Sequence, residues 1–153
     1  MKLVTERLVL TPWTVDELDD FHRLWSDPKT IWWGANTSLG QSREMLERII
    51  TQPTWWAVRR DGEFLGNAFL RQSPRRAGVL ELGYHFCSTA WGHGYATEAA
   101  RALLETAHGR LLEAPVVPEN ARSRRVMQKL GFVIAGQLMH FERLHDLWER
   151  AAS

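Results

Sequence analysis

This sequence predicts a mixed α/β domain on three observations. Strand-like and helix-like stretches alternate along the whole chain, with no repeats, linkers or low-complexity segments between them. Asp61-Gly62 separates two apolar runs and is a strong hairpin turn signal. From Val79 to Leu104 a strand, a glycine turn and an amphipathic helix follow one another without a break. Residues 1–153 read as a single domain, long enough to bury a real core.

Taken in order, Arg7 to Pro12 reads as a first strand. Thr14-Val15-Asp16-Glu17 is a capping-box sequence, after which Val15, Leu18, Phe21 and Trp25 fall on one helical face. That helix should stop near Asp27-Pro28, because the residue before proline avoids the helical region. Thr30 to Gln41 is loop-like, and a second helix from about Ser42 to Thr51 buries Met45, Leu46, Ile49 and Ile50. Thr54 to Arg60 and Glu63 to Gln72 are strands, followed by a polar loop from Arg71 to Gly78. Val79 to Cys87 is the fourth strand. The central helix then carries Ala96, Ala99, Ala100, Leu103, Leu104 and Ala107 at helical spacing. Leu112 to Val117 is a short fifth strand, and Pro115 makes it irregular or edge-like. A helix from about Asn120 to Leu130 is closed by Gly131. Phe132 to His140 and Leu144 to Arg150 form a closing hairpin.

Composition excludes several classes. A formal net charge of +1 recruits neither nucleic acid nor an anionic membrane. No apolar run approaches the roughly 20 residues of a spanning helix, and no signal-peptide core is present. The single Cys87 rules out an internal disulfide framework and a cysteine-based zinc site. A cytoplasmic protein is the simplest expectation. Six of the eight tryptophans precede Asp61 (Trp13, Trp25, Trp32, Trp33, Trp55 and Trp56), as core packing or as pocket lining.

The chemistry-bearing stretch is the turn at Gly92 and Gly94. Glycines let a ligand approach the backbone, and the helix start offers unpaired N–H groups at the positive end of a dipole. Together they form an anion cradle suited to phosphate; the alternative reading is a plain turn. No Gly-Lys-Ser/Thr follows, so the turn is not a P-loop. The third glycine of a dinucleotide fingerprint is also missing.

At these residues the chain resembles the GNAT superfamily of acetyl-coenzyme A dependent N-acetyltransferases, in its RimJ/RimL-like branch of ribosomal-protein alanine acetyltransferases. Thr5-Glu6-Arg7-Leu8-Val9-Leu10 is similar to that branch's first strand. Glu81-Leu82-Gly83-Tyr84 and Trp91-Gly92-His93-Gly94-Tyr95-Ala96-Thr97-Glu98-Ala99 resemble the acetyl-CoA motif. Pro118-Glu119-Asn120-Ala121-Arg122-Ser123 with Lys129-Leu130-Gly131-Phe132 resembles the second motif. The resemblance covers nearly the whole chain. It implies a central mixed, mostly antiparallel sheet of about seven strands with four helices, splayed between strands 4 and 5.

The resemblance also implies site roles. The superfamily loop is Q/R-x-x-G-x-G/A, and Trp91 stands at its first position. Backbone N–H groups around His93 to Thr97, with Gly92, Gly94, Tyr95 and Ala96 shaping the turn, would hold the pyrophosphate. Tyr84, His85 and Phe86 lie on the strand whose free backbone groups pair with the pantetheine arm, and Asn120 and Ser123 reach that arm from the other side. Arg122, Arg124, Arg125 and Lys129 form a basic helix suited to the nucleotide phosphates, or a solvated helix face. Glu81 is the candidate general base, directly or through a water; its other reading is an ion pair on the sheet. A backbone N–H near Phe86 would polarise the acetyl carbonyl. Many relatives carry a tyrosine where Met127 stands, so Ser123 is the remaining candidate for general acid, or it binds the cofactor only. His85 could assist or simply pack, Cys87 could face the acetyl group, and Glu98 supports the helix start.

The expected function is transfer of acetyl from acetyl-CoA to a primary amine, with no metal. A protein or peptide N-terminal α-amine is slightly favoured over a small amine such as a polyamine, amino acid or drug. A non-catalytic acyl-CoA-binding module is the alternative from another class. The expected partners are acetyl-CoA and the amine acceptor, without nucleic acid or membrane, in a monomer or homodimer.

Overall fold

The computed structural model describes residues 1–30 and 37–151. Trp32 and Trp33, expected as core packing or pocket lining, therefore lie outside the described residues. The strands are β1 (Leu3–Val4), β2 (Val9–Pro12), β3 (Trp55–Arg60), β4 (Glu63–Gln72), β5 (Leu80–Phe86), β6 (Leu112–Val116), β7 (Val133–His140) and β8 (Arg143–Arg150). The helices are α1 (Leu18–Trp25), α2 (Leu39–Ile49), α3 (Tyr95–Glu105) and α4 (Ala121–Lys129). One sheet holds all eight strands in the order β1-β2-β3-β4-β5-β6-β8-β7. The strand beyond the seven expected is β1, which pairs Leu3 with Leu10 and Val4 with Val9.

Alternation along β3 divides the core in two. Trp56 and Val58 join Leu82, Phe86 and the buried faces of α3 and α4 in the larger cluster. Ala57 joins Trp13, Phe21, Leu24, Trp25, Leu46 and Ile49 in the smaller one, on the α1 and α2 side. Both hairpins turn through residues with positive φ: Asp61 and Gly62 at 51° and 82°, Phe141 and Glu142 at 49° and 62°. Two successive positive φ values are what a two-residue loop needs to match the twist of its strands.

Two helix starts differ from expectation. After Thr14 the chain makes a 3-10 turn over Val15–Glu17 before α1 begins, with the Glu17 carboxylate accepting from the Thr14 N–H at 2.9 Å. Val15 consequently points to solvent, 60% exposed, and Leu24 takes the core position instead. Helix α2 begins at Leu39, earlier than expected. Ser38 Oγ accepts from the Gln41 N–H and Gln41 returns the bond to the Ser38 N–H, a reciprocal cap that needs no apolar residue nearby. Met45 and Ile50 are half-buried, whereas Leu46 and Ile49 are buried.

The feature that positions the site is the junction of β5 and β6. These parallel strands are in register at Leu80 with Leu112 and Glu81 with Glu113 only, and then part. On its other side β5 stays paired with β4 from Gln72 opposite Leu80 to Gly66 opposite Phe86. On its own far side β6 stays paired with β8 as far as Val116 opposite Asp146. Pro115 sits beyond the point where β6 leaves β5, so its missing N–H breaks no ladder between them.

Candidate active site

The splay opens a groove of about 550 Å³ between β5, the Gly92–Thr97 turn and α4. Its β5 wall is backbone. The Leu80 N–H reaches across to the Leu111 carbonyl, and the Cys87 N–H reaches back to Leu65 on the β4 side. Because backbone groups alternate along a strand, the N–H groups of Leu82, Tyr84 and Phe86 face the gap. One acceptor there is occupied: the Trp91 indole N–H donates to the Phe86 carbonyl at 3.1 Å.

The floor is the turn and the start of α3. Gly94 caps the helix with φ 78° and Gly92 stands at 84°, a region L side chains rarely adopt. The first intrahelical bond runs from the Glu98 N–H to the Gly94 carbonyl. The N–H groups of Tyr95, Ala96 and Thr97 therefore lie ahead of the helical ladder, at the positive end of the helix. Glu98 fastens this start to the N-terminal segment, accepting from the Thr5 hydroxyl, the Arg7 N–H and Arg7 Nε. Burial alone would raise its pKa, but these donors hold the carboxyl below its ordinary value.

The opposite wall is α4. Asn120 caps it, accepting the Ser123 N–H at 3.3 Å. Arg122, Arg125 and Lys129 line the groove, whereas Arg124 turns away to Asp146 at 3.4 Å and to the Pro118 carbonyl. The guanidinium of Arg122 lies over the Trp91 ring, 3.7 Å from its centroid.

Tyr84, His85, Phe86, Trp91, Gly92, Gly94, Tyr95, Ala96, Thr97, Asn120 and Ser123 thus come together on one groove. His93 and Glu81 do not line it. His93 is exposed and stacks its ring on Tyr95 at 5.3 Å. Glu81 is 2% exposed and gives one carboxylate oxygen to Arg71 Nε at 2.6 Å and the other to Arg75. Arg75 also binds Glu113, which Arg76 joins at 3.1 Å before reaching Glu149 at 2.6 Å. This chain of ion pairs crosses the two registered residues of β5 and β6 and ties the apex of the splay. Cys87 is buried among the α1-side aromatics, which pushes its thiol pKa up, and it does not line the groove.

Behind the groove, His85 is fixed by a donor chain. Trp13 Nε1–H can only donate, so Asn67 Oδ1 accepts it at 2.8 Å. That turns the Asn67 amide N–H toward His85 Nδ1 at 3.2 Å and leaves the imidazole proton on Nε2. Packed against Trp25 and Phe69, the ring has its pKa pushed down to about 3 by burial, so it is neutral near pH 7.

The stacking of Arg122 on Trp91 has no local signal in the sequence, because it joins residues brought together by the fold. For Glu81 the structure shows the second of its two readings, an ion pair on the sheet, here with Arg71 and Arg75. No group of three or more metal-ligating residues occurs among the described residues.

Residues 7–133 match the family model for the acetyltransferase (GNAT) domain. The chain is 32% identical to the YkkB protein of Bacillus subtilis (strain 168), covering 97% of this chain and 91% of that one. It is 28% identical to a Bacillus licheniformis protein named "Uncharacterized N-acetyltransferase p20", covering 92% and 87% respectively. Among solved structures it is similar to the aminoglycoside acetyltransferase AAC(6')-Ib in complex with coenzyme A, at TM-score 0.81 and 19% identity over 94% of each chain. It is also similar to Mycobacterium smegmatis RimJ in complex with CoA-disulfide, at TM-score 0.78 and 22% identity over 95% of this chain and 82% of that one.

Proposed function

The chain belongs to the GNAT family of acetyltransferases and is an acetyl-CoA-dependent N-acetyltransferase, and we propose that its acceptor is a protein or peptide α-amine, as for a RimJ/RimL-like enzyme. Likeness in fold to RimJ and to AAC(6')-Ib is equal in kind, so the choice of acceptor rests on this chain's own chemistry. The groove's own features fit acetyl-CoA: backbone N–H groups along β5 for the pantetheine amides, the α3 start for the pyrophosphate, and Arg122, Arg125 and Lys129 for the remaining phosphate charge.

The observation that carries the acceptor reading is the state of the carboxylates at the apex. Glu81 and Glu113 are both neutralised by guanidinium groups, and the side chains behind the groove are Trp25, Phe69 and a neutral His85. A polyamine or aminosugar carries several ammonium groups and calls for carboxylates that are not already paired. An α-amine, with a pKa of about 7.7–8.0 against about 10.4 for a lysine-like amine, reaches the site largely neutral near pH 7. Its attack needs no strong protein base. In this reading Glu81 anchors the strand junction, the acceptor's proton passes to water, and Ser123 donates to the departing sulfur. His93 offers its backbone to the pyrophosphate.

The test is kcat/KM for unblocked N-terminal peptides against polyamines, free amino acids and aminoglycosides. A peptide preference supports the reading. A preference of about tenfold for any small amine, roughly 1.4 kcal/mol in transition-state binding, overturns it.

A further inference from the structure

We infer that Tyr84 is the positioning residue behind Ser123: during turnover its phenol donates to Ser123 Oγ, so that the Ser123 O–H is aimed at the sulfur leaving from the acetyl group. This rests on the reading of the groove as an acetyl-CoA site. Tyr84 lies on β5 and Ser123 in the first turn of α4, on opposite walls of the groove, and both line it. The Tyr84 hydroxyl oxygen is withdrawn from solvent and makes no hydrogen bond of ordinary geometry among the described residues. Among the polar side chains lining the same groove, Ser123 is the one that acts on this phenol.

A buried hydroxyl without a well-formed bond costs stability, so its retention calls for a use. The groove supplies one. Met127, one helical turn beyond Ser123, is wholly buried and has no proton to give. Ser123 spends its backbone N–H on the Asn120 cap, which leaves its hydroxyl to donate into the groove. A hydroxyl rotates freely unless something fixes its lone pairs. A phenol donating from behind does this, directing the serine proton into the groove. Burial raises the Tyr84 pKa and keeps the phenol protonated at every working pH, so it remains a donor.

The step balances without proton transfer from tyrosine. The C–N bond forms as the C–S bond breaks, sulfur keeps the electron pair, and the acceptor's proton passes to water. Ser123 stabilises the charge developing on sulfur, as donors aimed at such charge do.

The experiment compares wild type, Tyr84→Phe, Ser123→Ala and the double variant by steady-state kinetics, acetyl-CoA titration and thermal melting. Tyr84→Phe is expected to lower kcat about tenfold or more while leaving acetyl-CoA affinity within about twofold. Its Tm should stay level or rise, since the phenylalanine removes a buried polar atom without changing shape. In the Ser123→Ala background, Tyr84→Phe should cost less than about twofold more, because it acts through the missing hydroxyl. Unchanged kcat in Tyr84→Phe overturns the inference, as do losses that multiply in the double variant or a lowered Tm with matching loss of acetyl-CoA affinity. A wild-type protein that binds acetyl-CoA yet acetylates no amine overturns the parent reading, and this inference with it.

Discussion

Arg122 stacks its guanidinium on the indole of Trp91, 3.7 Å from the ring centroid, across the mouth of the groove. Trp91 stands where the superfamily motif has a glutamine or arginine, so the fold brings a cation from α4 to a loop that lacks one. The same indole donates to the Phe86 carbonyl, which fixes the ring and with it the place of the charge. Arg122→Gln should weaken acetyl-CoA binding by about fivefold to thirtyfold, the span of a cation–π contact together with a phosphate contact. Titration at two salt concentrations checks this: the variant should also show a shallower salt dependence.

Glu81→Gln separates anchor from base. Removing one charge from the Arg71–Glu81–Arg75–Glu113 chain leaves guanidiniums without their partner and should destabilise the fold by about 3 kcal/mol in urea unfolding. Activity per folded molecule should keep the wild-type pH profile. An unchanged stability with a loss of rate confined to low pH would instead identify Glu81 as the base.

The Glu98 carboxyl gives a pH-dependent contribution of known sign. Its folded pKa lies below the ordinary value, so the stabilisation is present above that value and disappears as pH falls through the folded one. Glu98→Gln should therefore melt below wild type at pH 7, and the two curves should converge in acid, once pH has fallen through the lowered folded pKa. Melting temperatures across that range check it.

Gly66 tests the close approach of β4 to β5. A Cβ there would lie 2.3 Å from the His85 carbonyl oxygen and 2.8 Å from the Phe86 Cα, both backbone atoms that cannot swing aside. Gly66→Ala should cost about 2–3 kcal/mol and disturb the groove wall. Denaturant unfolding and acetyl-CoA affinity read the two effects separately.

Much of this was legible before any coordinates. Asp61-Gly62, Gly94 and Gly131 mark turns by their conformational freedom alone, and each sits at positive φ where the pattern put it. The second motif placed Asn120 at a helix start, where it caps. Strand β1 was not legible, because two residues carry no period and their pairing is tertiary. The start of α2 is not legible because its first turn holds Gly40, a weak helix former, and Leu39, which faces solvent off the buried stripe, although Ser38 and Gln41 carry the capping signal. Glu81 was ambiguous for a different reason. Its arginines lie 6 and 10 residues upstream on a loop and a neighbouring strand, and only the hairpin geometry brings them to both of its oxygens.

The groove's lining calls for acetyl-CoA to lie in the splay with its pyrophosphate over the Gly92–Thr97 turn. Calorimetric titration of acetyl-CoA into wild type and Gly94→Glu tests it most directly, with circular dichroism to establish that the variant is folded. Gly94 has φ 78° and lines the groove, so glutamate there would put bulk and negative charge where the phosphates approach. Saturable binding to wild type and none to folded Gly94→Glu is the expected result; equal affinity in the two proteins would place the phosphates elsewhere.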